Sequence, residues 1–425
     1  MDKQAASAPI SALMDAERRV FANGMVVTLL RNPAAPVVSL RGEIQLGAAH
    51  ESTDQNGLAI FTGAAINRGT AQRTFQQIAD ETEAVGASVS AGAGMHTTGL
   101  GGRSLSEDLP LIVRLLGEML REPAFPEQEL DRLRGQFLMG LRENEQDTRV
   151  RASRALRSML FPPSHPYSRI SSGTAESVAA LTRDDLVAFQ QRMHPAATTL
   201  VVVGDIDPAA TFALIEAELG GWQGIGIPPT LDLPPASVLH GAQRANVRLA
   251  GKVQSDVIWA VHGPTRLSED YYAASVANMI LGRIGLGGRL GEVIREQRGL
   301  AYAIGTSMES DRGAGPWGAI ASVAAEDVEQ TIDAIVGEIA RFLADGPTAE
   351  ELDDARSAMT GGLALSLETN DGIAATLLGI ERYELGADFV ARYPAIINAL
   401  DHDAVLAAAR HYLSDQDFAV AVAGP

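Results

Sequence analysis

Hydrophobic residues along the chain follow two different periods, and stretches of the two kinds alternate. A spacing of two, with polar residues or glycine between, predicts a strand with one buried face at Val38, Leu40, Ile44 and Leu46. The stretch TFQQIADETEAVG opens with a Thr-x-x-Gln capping box at Thr74 and ends at Gly86, which predicts a helix. A second helix is predicted from Ser268, an expected N-cap that acidic residues follow. Strands interleaved with such helices indicate a sheet with helices layered on one side.

Four landmarks appear twice, in the same order, at an offset of about 220 residues. Gly117-Glu118 recurs as Gly337-Glu338, ELDRLR from Glu129 as ELDDAR from Glu351, LTRDDLVAF from Leu181 as LDHDAVLAA from Leu400, and the strand near Gly204 as the strand near Gly424. An ordered series at a nearly constant offset indicates the tandem duplication of one domain. The predicted fold class is therefore α+β, with two homologous domains from an internal duplication.

The stretch GIGIPPTLDLPPAS separates the two copies. Its four prolines disrupt helix and strand patterns and favour an extended spacer. We therefore predict an N-terminal domain at residues 1–223, a linker at residues 224–237 and a C-terminal homologous domain at residues 238–425.

Composition excludes several classes of function. A chain of 425 residues is too long for one ordinary core, and no apolar run is long enough to cross a bilayer. The net charge of −19, without a cluster of Lys and Arg, argues against nucleic acid as a partner. The absence of cysteine excludes disulfides, thiolate nucleophiles and cysteine-based zinc sites.

The small-residue stretch AASAPISA at residues 5–12 is the one indication of a cellular compartment. No apolar signal core precedes it, and such a stretch is typical of a chain that begins where a signal peptide was removed. We expect a periplasmic protein, with the cytoplasm as the alternative.

The eight histidines are dispersed: His50, His96, His165, His194, His240, His262, His402 and His411. No two are three to five residues apart, so no helical histidine pair can make a zinc site. The glycine-rich GRIGLGGRLGEV from Gly282 matches neither common phosphate-binding motif and predicts a hinge or a loop that opens a helix. No Gly-x-Ser-x-Gly elbow is present. The sequence predicts no metal and no cofactor in this chain.

The stretch GRLGEVIREQRGLAYAIGTS holds one arginine and one tyrosine of interest. A helix pattern ends at Arg298, Gly299 stops it, and a strand follows. A chain that folds back here can bring Arg295 near Tyr302, a cation and a phenolic donor suited to a peptide carbonyl. The alternatives are a tyrosine that packs in the strand and an arginine that complements the helix dipole.

The stretch NGLAIFTGAAINRGT from Asn56 to Thr70 has the outline of a catalytic helix without its chemistry. The chain resembles the pitrilysin/insulinase family of zinc peptidases, in which H-x-x-E-H lies in a frame like G-x-A-H-F-x-E-H-x-x-x-x-G-T. The frame is kept at Gly57, Ala59, Phe61, Gly69 and Thr70. Ile60, Gly63 and Ala64 stand where the family has its first histidine, its glutamate and its second histidine. The resemblance thus implies a degenerate zinc helix, with the family's distant glutamate ligand near Glu143 or Glu145.

The same resemblance gives the C-terminal copy a role. Family members carry a segment like LREKRGLAY, which VIREQRGLAY matches, and its Arg and Tyr contact substrate beside the zinc of the facing half. This implies that Arg295 and Tyr302 are catalytic residues that act on a partner's zinc site. The family encloses substrates in a chamber of two two-domain halves, and this chain has the length of one half.

We therefore expect a zinc-less subunit of a heteromeric zinc endopeptidase, inactive alone. The expected partner is a homologous H-x-x-E-H subunit that holds the zinc, and the expected substrates are unfolded peptides. The alternative is a non-catalytic scaffold, like the core-type proteins of the same family.

Overall fold

A computed structural model describes residue 13 and residues 15–425 of the chain. The stretch at residues 5–12, on which the periplasmic prediction rests, lies outside the described residues, so that prediction stays untested. The chain divides into two compact units. Unit 1 takes in the described residues up to Leu141 together with Ile170–Asp232 and Ala364–Ala391. Unit 2 takes in Arg142–Arg169, Leu233–Leu363 and Arg392–Pro425.

Unit 1 is built on a sheet of six strands among the described residues, in the order β1-β2-β6-β3-β5-β4. The strands are β1 Glu17–Val20, β2 Val26–Arg31, β3 Val37–Ile44, β4 Ser88–Ala93, β5 Thr98–Leu105 and β6 Thr198–Gly204. The helices of the N-terminal copy are α1 Leu58–Ala65, α2 Phe75–Ala84, α3 Leu109–Arg121, α4 Glu127–Asn144, α5 Thr148–Leu160, α6 Ala175–Ala180, α7 Arg183–Gln191 and α8 Pro208–Leu219.

Unit 2 is built on a five-stranded sheet in the order β7-β11-β8-β10-β9. The strands are β7 Ala242–Arg248, β8 Gln254–His262, β9 Ala301–Ser310, β10 Ala314–Ala324 and β11 Phe418–Gly424. The helices of the C-terminal copy are α9 Tyr271–Gly282, α10 Gly288–Leu290 with a π-helical continuation Gly291–Gln297, α11 Val328–Asp345, α12 Ala349–Ser366, α13 Asn370–Arg382, α14 Phe389–Asn398 and α15 His402–Tyr412.

The two sheets repeat one topology. The order β2-β6-β3-β5-β4 in unit 1 corresponds to β7-β11-β8-β10-β9 in unit 2, and in both the first pair is parallel and the others are antiparallel. Gly204 and Gly424 end the equivalent strands β6 and β11. The predicted α+β class with two like domains is therefore confirmed.

The second face of each sheet carries a helix from the other sequence copy. In unit 1, α13 packs on β3 and β6, where Val201 and Val203 are fully buried. Its first turn is paired with β3 through Arg41 Nε and Asp371 Oδ1, 2.7 Å apart. Both faces of this sheet are thus covered, whereas the sequence predicted helices on one side only.

In unit 2 the equivalent place belongs to α5, which packs on β11, β8 and β7. Thr148, the first residue of α5, donates its hydroxyl to the carboxylate of Asp256 on β8. The ranges 1–223 and 238–425 were predicted from the sequence repeat, and as bounds of the two sequence copies they stay a prediction. The compact units differ from those ranges because α5 and α13, which occupy equivalent places in the two copies, are exchanged.

Of two helix N-caps predicted from the sequence, one is confirmed and one is wrong. Thr74 is the N-cap of α2 in a complete capping box with Gln77, as predicted. The N-cap prediction at Ser268 was wrong, because α9 begins at Tyr271 and its N-cap is Asp270. The Ser268 hydroxyl instead accepts the N–H of Thr265 at 3.1 Å, a local turn that competes with capping. Within the described residues, no helix has both the length and the apolar character needed to cross a membrane.

Candidate functional site

Helix α1, the predicted degenerate zinc helix, forms as a short and largely buried element of unit 1. A buried carboxylate, Glu51, accepts the backbone N–H groups of Gly57 (3.0 Å) and Ala59 at the start of the helix. Negative charge at this end complements the unpaired N–H groups and the helix dipole. The helix is therefore anchored without any metal ligand.

Two of the degenerate positions lie on the one open side of α1. Ile60 and Ala64 are half-buried, whereas the other residues of the helix are buried. Both line a shallow groove of about 380 Å³, together with Asn67, Arg68, Phe75, Ala91, Gly92 and Ala93. The spacing of four residues puts both side chains on one face, as the resemblance to a zinc helix requires. The groove is apolar, and the only formal charge lining it is that of Arg68.

The third degenerate position has no room for a side chain. A Cβ atom at Gly63 would lie 2.5 Å from the backbone nitrogen of Ala93 on β4, well inside van der Waals contact. Glycine here lets α1 press against the strand. Ile60, Gly63 and Ala64 also offer no oxygen, nitrogen or sulfur side-chain atom to a metal. These residues do not fit a zinc ion, and among the described residues no group of three or more His, Asp or Glu side chains is placed to hold one.

The counterpart helix of unit 2 is packed in the same way. Gly282 ends α9 at the same offset of about 220 residues from Gly63. A Cβ atom at Gly282 would lie 2.5 Å from the backbone nitrogen of Thr306 on β9. Helix α1 therefore has the close helix-to-edge-strand contact that its counterpart also has.

Thr70, at the C-terminal end of the frame around α1, has a packing role in this chain. The Thr70 hydroxyl donates to Glu118 at 3.1 Å, and Arg73 pairs with both Glu118 and Glu81. Glu118 is one of the repeated landmarks and is almost completely buried. A buried carboxylate with two partners holds the loop after α1 against α3, so Thr70 has a structural role in this chain.

The glutamates predicted near the family's distant zinc ligand are engaged elsewhere or exposed. Glu145 is bound by Arg151 at 2.7 Å and by Arg154 at 2.6 Å, all within unit 2. Glu143 lies exposed in the last turn of α4. Paired with two guanidinium groups, the Glu145 carboxylate serves the start of α5.

Arg295 lies in the π-helical segment that leads into β9. The segment ends at Gln297 with Arg298 as its C-cap, and Gly299 follows with φ +64°, a left-handed conformation that glycine adopts without strain. The glycine stop and the following strand are as predicted, and the helical segment ends one residue before the predicted Arg298. The Arg295 guanidinium is partly exposed, and the one acidic side chain it meets within the described part of the chain is its neighbour Glu296, at 3.4 Å. An exposed pair of this kind contributes little and leaves the cation available to a ligand.

Tyr302 is the second residue of the edge strand β9 and is 85% exposed. Ala301 pairs with Val323 and Ala303 with Ser322, so Tyr302 is the extra residue of a β-bulge. A bulge redirects the side chain of an edge strand. The Tyr302 hydroxyl has no hydrogen-bond partner among the described residues, which excludes the alternative in which this ring packs into the core. The structure thus leaves both predicted residues of unit 2 accessible; their chemical role stays a prediction.

The sequence did not predict a role for Asn67, whose side chain lines the same groove as Ile60 and Ala64. Its amide nitrogen donates to the carbonyls of Gly63, Ala64 and Ala91, at 2.9, 3.2 and 2.8 Å, and its oxygen accepts the Ala91 N–H at 2.8 Å. A usable signal existed, because an asparagine just after a short apolar helix often satisfies backbone groups there.

Comparison with known proteins adds the family context. Residues 26–164 match the family model described as insulinase (peptidase family M16), and residues 180–359 match the one described as peptidase M16 inactive domain. The chain is 26% identical to an uncharacterized zinc protease of Mycobacterium bovis, over the whole chain and 96% of that relative.

Two further relatives are informative. A mitochondrial-processing peptidase subunit beta of Lentinula edodes is 25% identical over 96% of this chain and 90% of its own length. The crystal structure of a peptidase M16 inactive domain from Pseudomonas fluorescens superposes with a TM-score of 0.88 and 26% identity, covering 96% of this chain and 98% of that one.

Proposed function

Because this chain belongs to peptidase family M16, the insulinase family, we propose that it is the zinc-less subunit of a heteromeric zinc endopeptidase. The partner is a homologous subunit with H-x-x-E-H, which holds the zinc. This chain contributes half of the substrate chamber, and Arg295 and Tyr302 act on peptide bound in the partner's site. The substrates are unfolded peptides.

The observation that supports the proposal is the accessibility of Tyr302. A tyrosine in a strand normally buries its ring and satisfies its hydroxyl. Here the ring is 85% exposed on a bulge and the hydroxyl has no partner among the described residues. Such a group contributes nothing evident to the stability of unit 2 and is available to a peptide.

The proposed chemistry uses two donors of different kinds. Arg295 offers a planar guanidinium that binds an oxygen with a fixed geometry, and Tyr302 offers one hydroxyl proton. Both suit the carbonyl oxygen of a peptide bond, whose negative charge grows during attack by water. The chain itself moves no proton from the attacking water, because α1 has no base at Gly63.

Reconstitution tests this function. The chain is purified with an affinity tag from its native host, the M16 subunit that carries H-x-x-E-H is identified among the co-purified proteins, and both chains are expressed separately. Cleavage of an internally quenched unstructured peptide is then measured for each chain alone and for the mixture. We expect activity only in the mixture, because neither chain holds both the activated water and the carbonyl-binding pair.

Two results would contradict the proposal. A partner that is fully active without this chain would make the contribution of Arg295 and Tyr302 unnecessary. A stable complex that cuts no peptide would favour the alternative, a non-catalytic scaffold. Cell fractionation with a periplasmic marker tests the predicted compartment separately.

A further inference from the structure

Strand β4 is an edge strand, and edge strands normally present unpaired backbone groups. In the part of the chain that the structure describes, it is the last strand of the unit 1 sheet and pairs only with β5. A free edge of this kind is a template onto which another extended chain can add. The groove of α1 runs along β4, since Ala91, Gly92 and Ala93 line it.

Asn67 occupies the place that the backbone of an added strand would take. Its side-chain amide exchanges two hydrogen bonds with Ala91, one to the N–H and one from the carbonyl, both 2.8 Å long. This is the same donor and acceptor pair that a neighbouring strand presents to a hydrogen-bonded residue. The outward groups of Ala91 are therefore satisfied inside unit 1.

The adjoining position on β4 is covered as well. The backbone nitrogen of Ala93 lies against Gly63 of α1. A Cβ atom added at Gly63 would be only 2.5 Å from this nitrogen. Asn67 is also bonded to the carbonyls of Gly63 and Ala64. The amide thus ties the end of α1 to the edge strand, and an incoming peptide would have to break these contacts.

We infer that Asn67 closes the edge of β4 and keeps extended peptide out of the groove beside Ile60 and Ala64. The groove is apolar and open, so without this closure it would attract unfolded chains at a place where no bond can be cut. The consequence for cleavage rests on the proposed function: with the edge closed, substrate in the chamber is directed to the partner's site. The closure itself requires no partner.

Peptide binding to the chain alone tests this inference. The probe is a short fluorescent peptide of alternating valine and serine residues, measured by anisotropy; the same peptide with alternate N-methylated residues cannot add as a strand. Asn67→Ala is compared with the wild type and with Asn23→Ala. Asn23 is a matched control, since its amide also bonds only backbone groups of unit 1, at Leu219, Trp222 and Met25.

We expect Asn67→Ala to bind the unmodified peptide at least about tenfold more tightly than the wild type, because two backbone partners become free. The N-methylated peptide and Asn23→Ala should show no such gain. Asn67→Asp provides a second variant that need not disrupt the fold, because its carboxylate is repelled by the three carbonyls and can turn to solvent. A folded Asn67→Asp or Asn67→Ala that gains no binding, or a wild type that already binds equally well, would overturn the inference.

Because no partner and no zinc enter this measurement, its failure is distinct from failure of the proposed peptidase subunit.

Discussion

Helix α1 of unit 1 and the segment from Gly288 to Tyr302 of unit 2 differ in how their functional positions are used. At α1 the polar groups are bound within the unit, by Glu51 at one end and Asn67 at the other, and Gly63 is pressed against β4. In the unit 2 segment, counting contacts with residue 13 and residues 15–425, Tyr302 is exposed without a partner and Arg295 meets only a neighbouring glutamate. The polar groups around α1 are therefore used within unit 1, whereas Arg295 and Tyr302 stay accessible.

The largest expected effect comes from removing the accessible pair in the assembled complex. Tyr302→Phe deletes one hydroxyl and little volume, and we expect turnover to fall roughly 100- to 1000-fold, about 3 to 4 kcal/mol. Arg295→Ala should lose at least as much, and Arg295→Lys should recover little because an ammonium cannot reproduce the guanidinium fork. Steady-state kinetics on reconstituted complexes measure both.

The control for this experiment is Arg298→Ala. Arg298 is exposed at the end of the same helical segment and carries the same charge, but it has no proposed contact with substrate. Assembly and the partner's zinc content should be unchanged in all variants. Near-normal turnover of both Tyr302→Phe and Arg295→Ala would remove the distinction drawn between the two regions and leave the scaffold.

A smaller effect is expected when the two histidines and the glutamate of the family's zinc motif are introduced into α1. Ile60→His with Ala64→His places two imidazoles on the open side, and we expect this double variant to stay folded. Adding Gly63→Glu forces a side chain into the backbone of β4, and we expect a loss of about 3 kcal/mol in the free energy of unfolding. Urea unfolding with zinc analysis compares the two variants and the wild type, for which we expect no stoichiometric zinc.

One outcome would contradict this prediction. If the variant with all three replacements were as stable as the double variant and bound zinc tightly, α1 would be an intact scaffold that lacks only its ligands. The conclusion that α1 has no space for a side chain at Gly63 would then be wrong.

The smallest expected effect is a dependence on pH that separates the two units. In unit 2, burial lowers the pKa of His165, and the nearby His262 lowers it further; burial also lowers the pKa of His262. Both rings contact Phe161, which follows α5. Folding therefore favours the neutral form of both rings. Their contribution to the free energy of unfolding is complete above the unfolded pKa of about 6.5 and is lost as the pH falls from there through the lower folded pKa values.

Hydrogen exchange at about pH 7.5 and about pH 5.5 measures this loss. After division by the intrinsic exchange rate, which itself falls with pH, we expect smaller protection factors for residues 161–169 at the lower pH, while those at the end of α1, held by the uncharged amide of Asn67, should change less. His165→Asn is the control, since it can still accept the N–H of Tyr167 but does not titrate. The same pH response in this variant would assign it to His262 or to another group and not to His165.

The sequence predicted those features that repeat or follow local rules. The duplication was visible because Gly204 and Gly424 end equivalent strands, and the helix stop at Gly299 because a left-handed turn favours glycine. The assignment of Ile60, Gly63 and Ala64 as degenerate zinc positions also came from a short frame, and it stays a prediction. Each of these signals lies in a short window of sequence.

What the sequence did not predict depends on partners distant in the chain. Asn67 reaches Ala91, and the absence of space at Gly63 is set by Ala93, neither of which any local pattern identifies. Ser268 carried a good capping pattern, but its hydroxyl was taken by Thr265. The placement of α5 and α13 follows from buried faces such as that of Val201, which reads as an ordinary strand residue until its cover is known.

The exchange of α5 and α13 constrains the order in which this protein can be made. After the ribosome has completed β6, the face that carries Val201 and Val203 waits for α13, which is synthesised only after most of the second copy. During translation the nascent N-terminal copy therefore exposes an apolar sheet face, a state prone to misassembly. Folding of unit 1 is completed late, and a chain that stops at the proline-rich linker leaves this face open to solvent or to a chaperone.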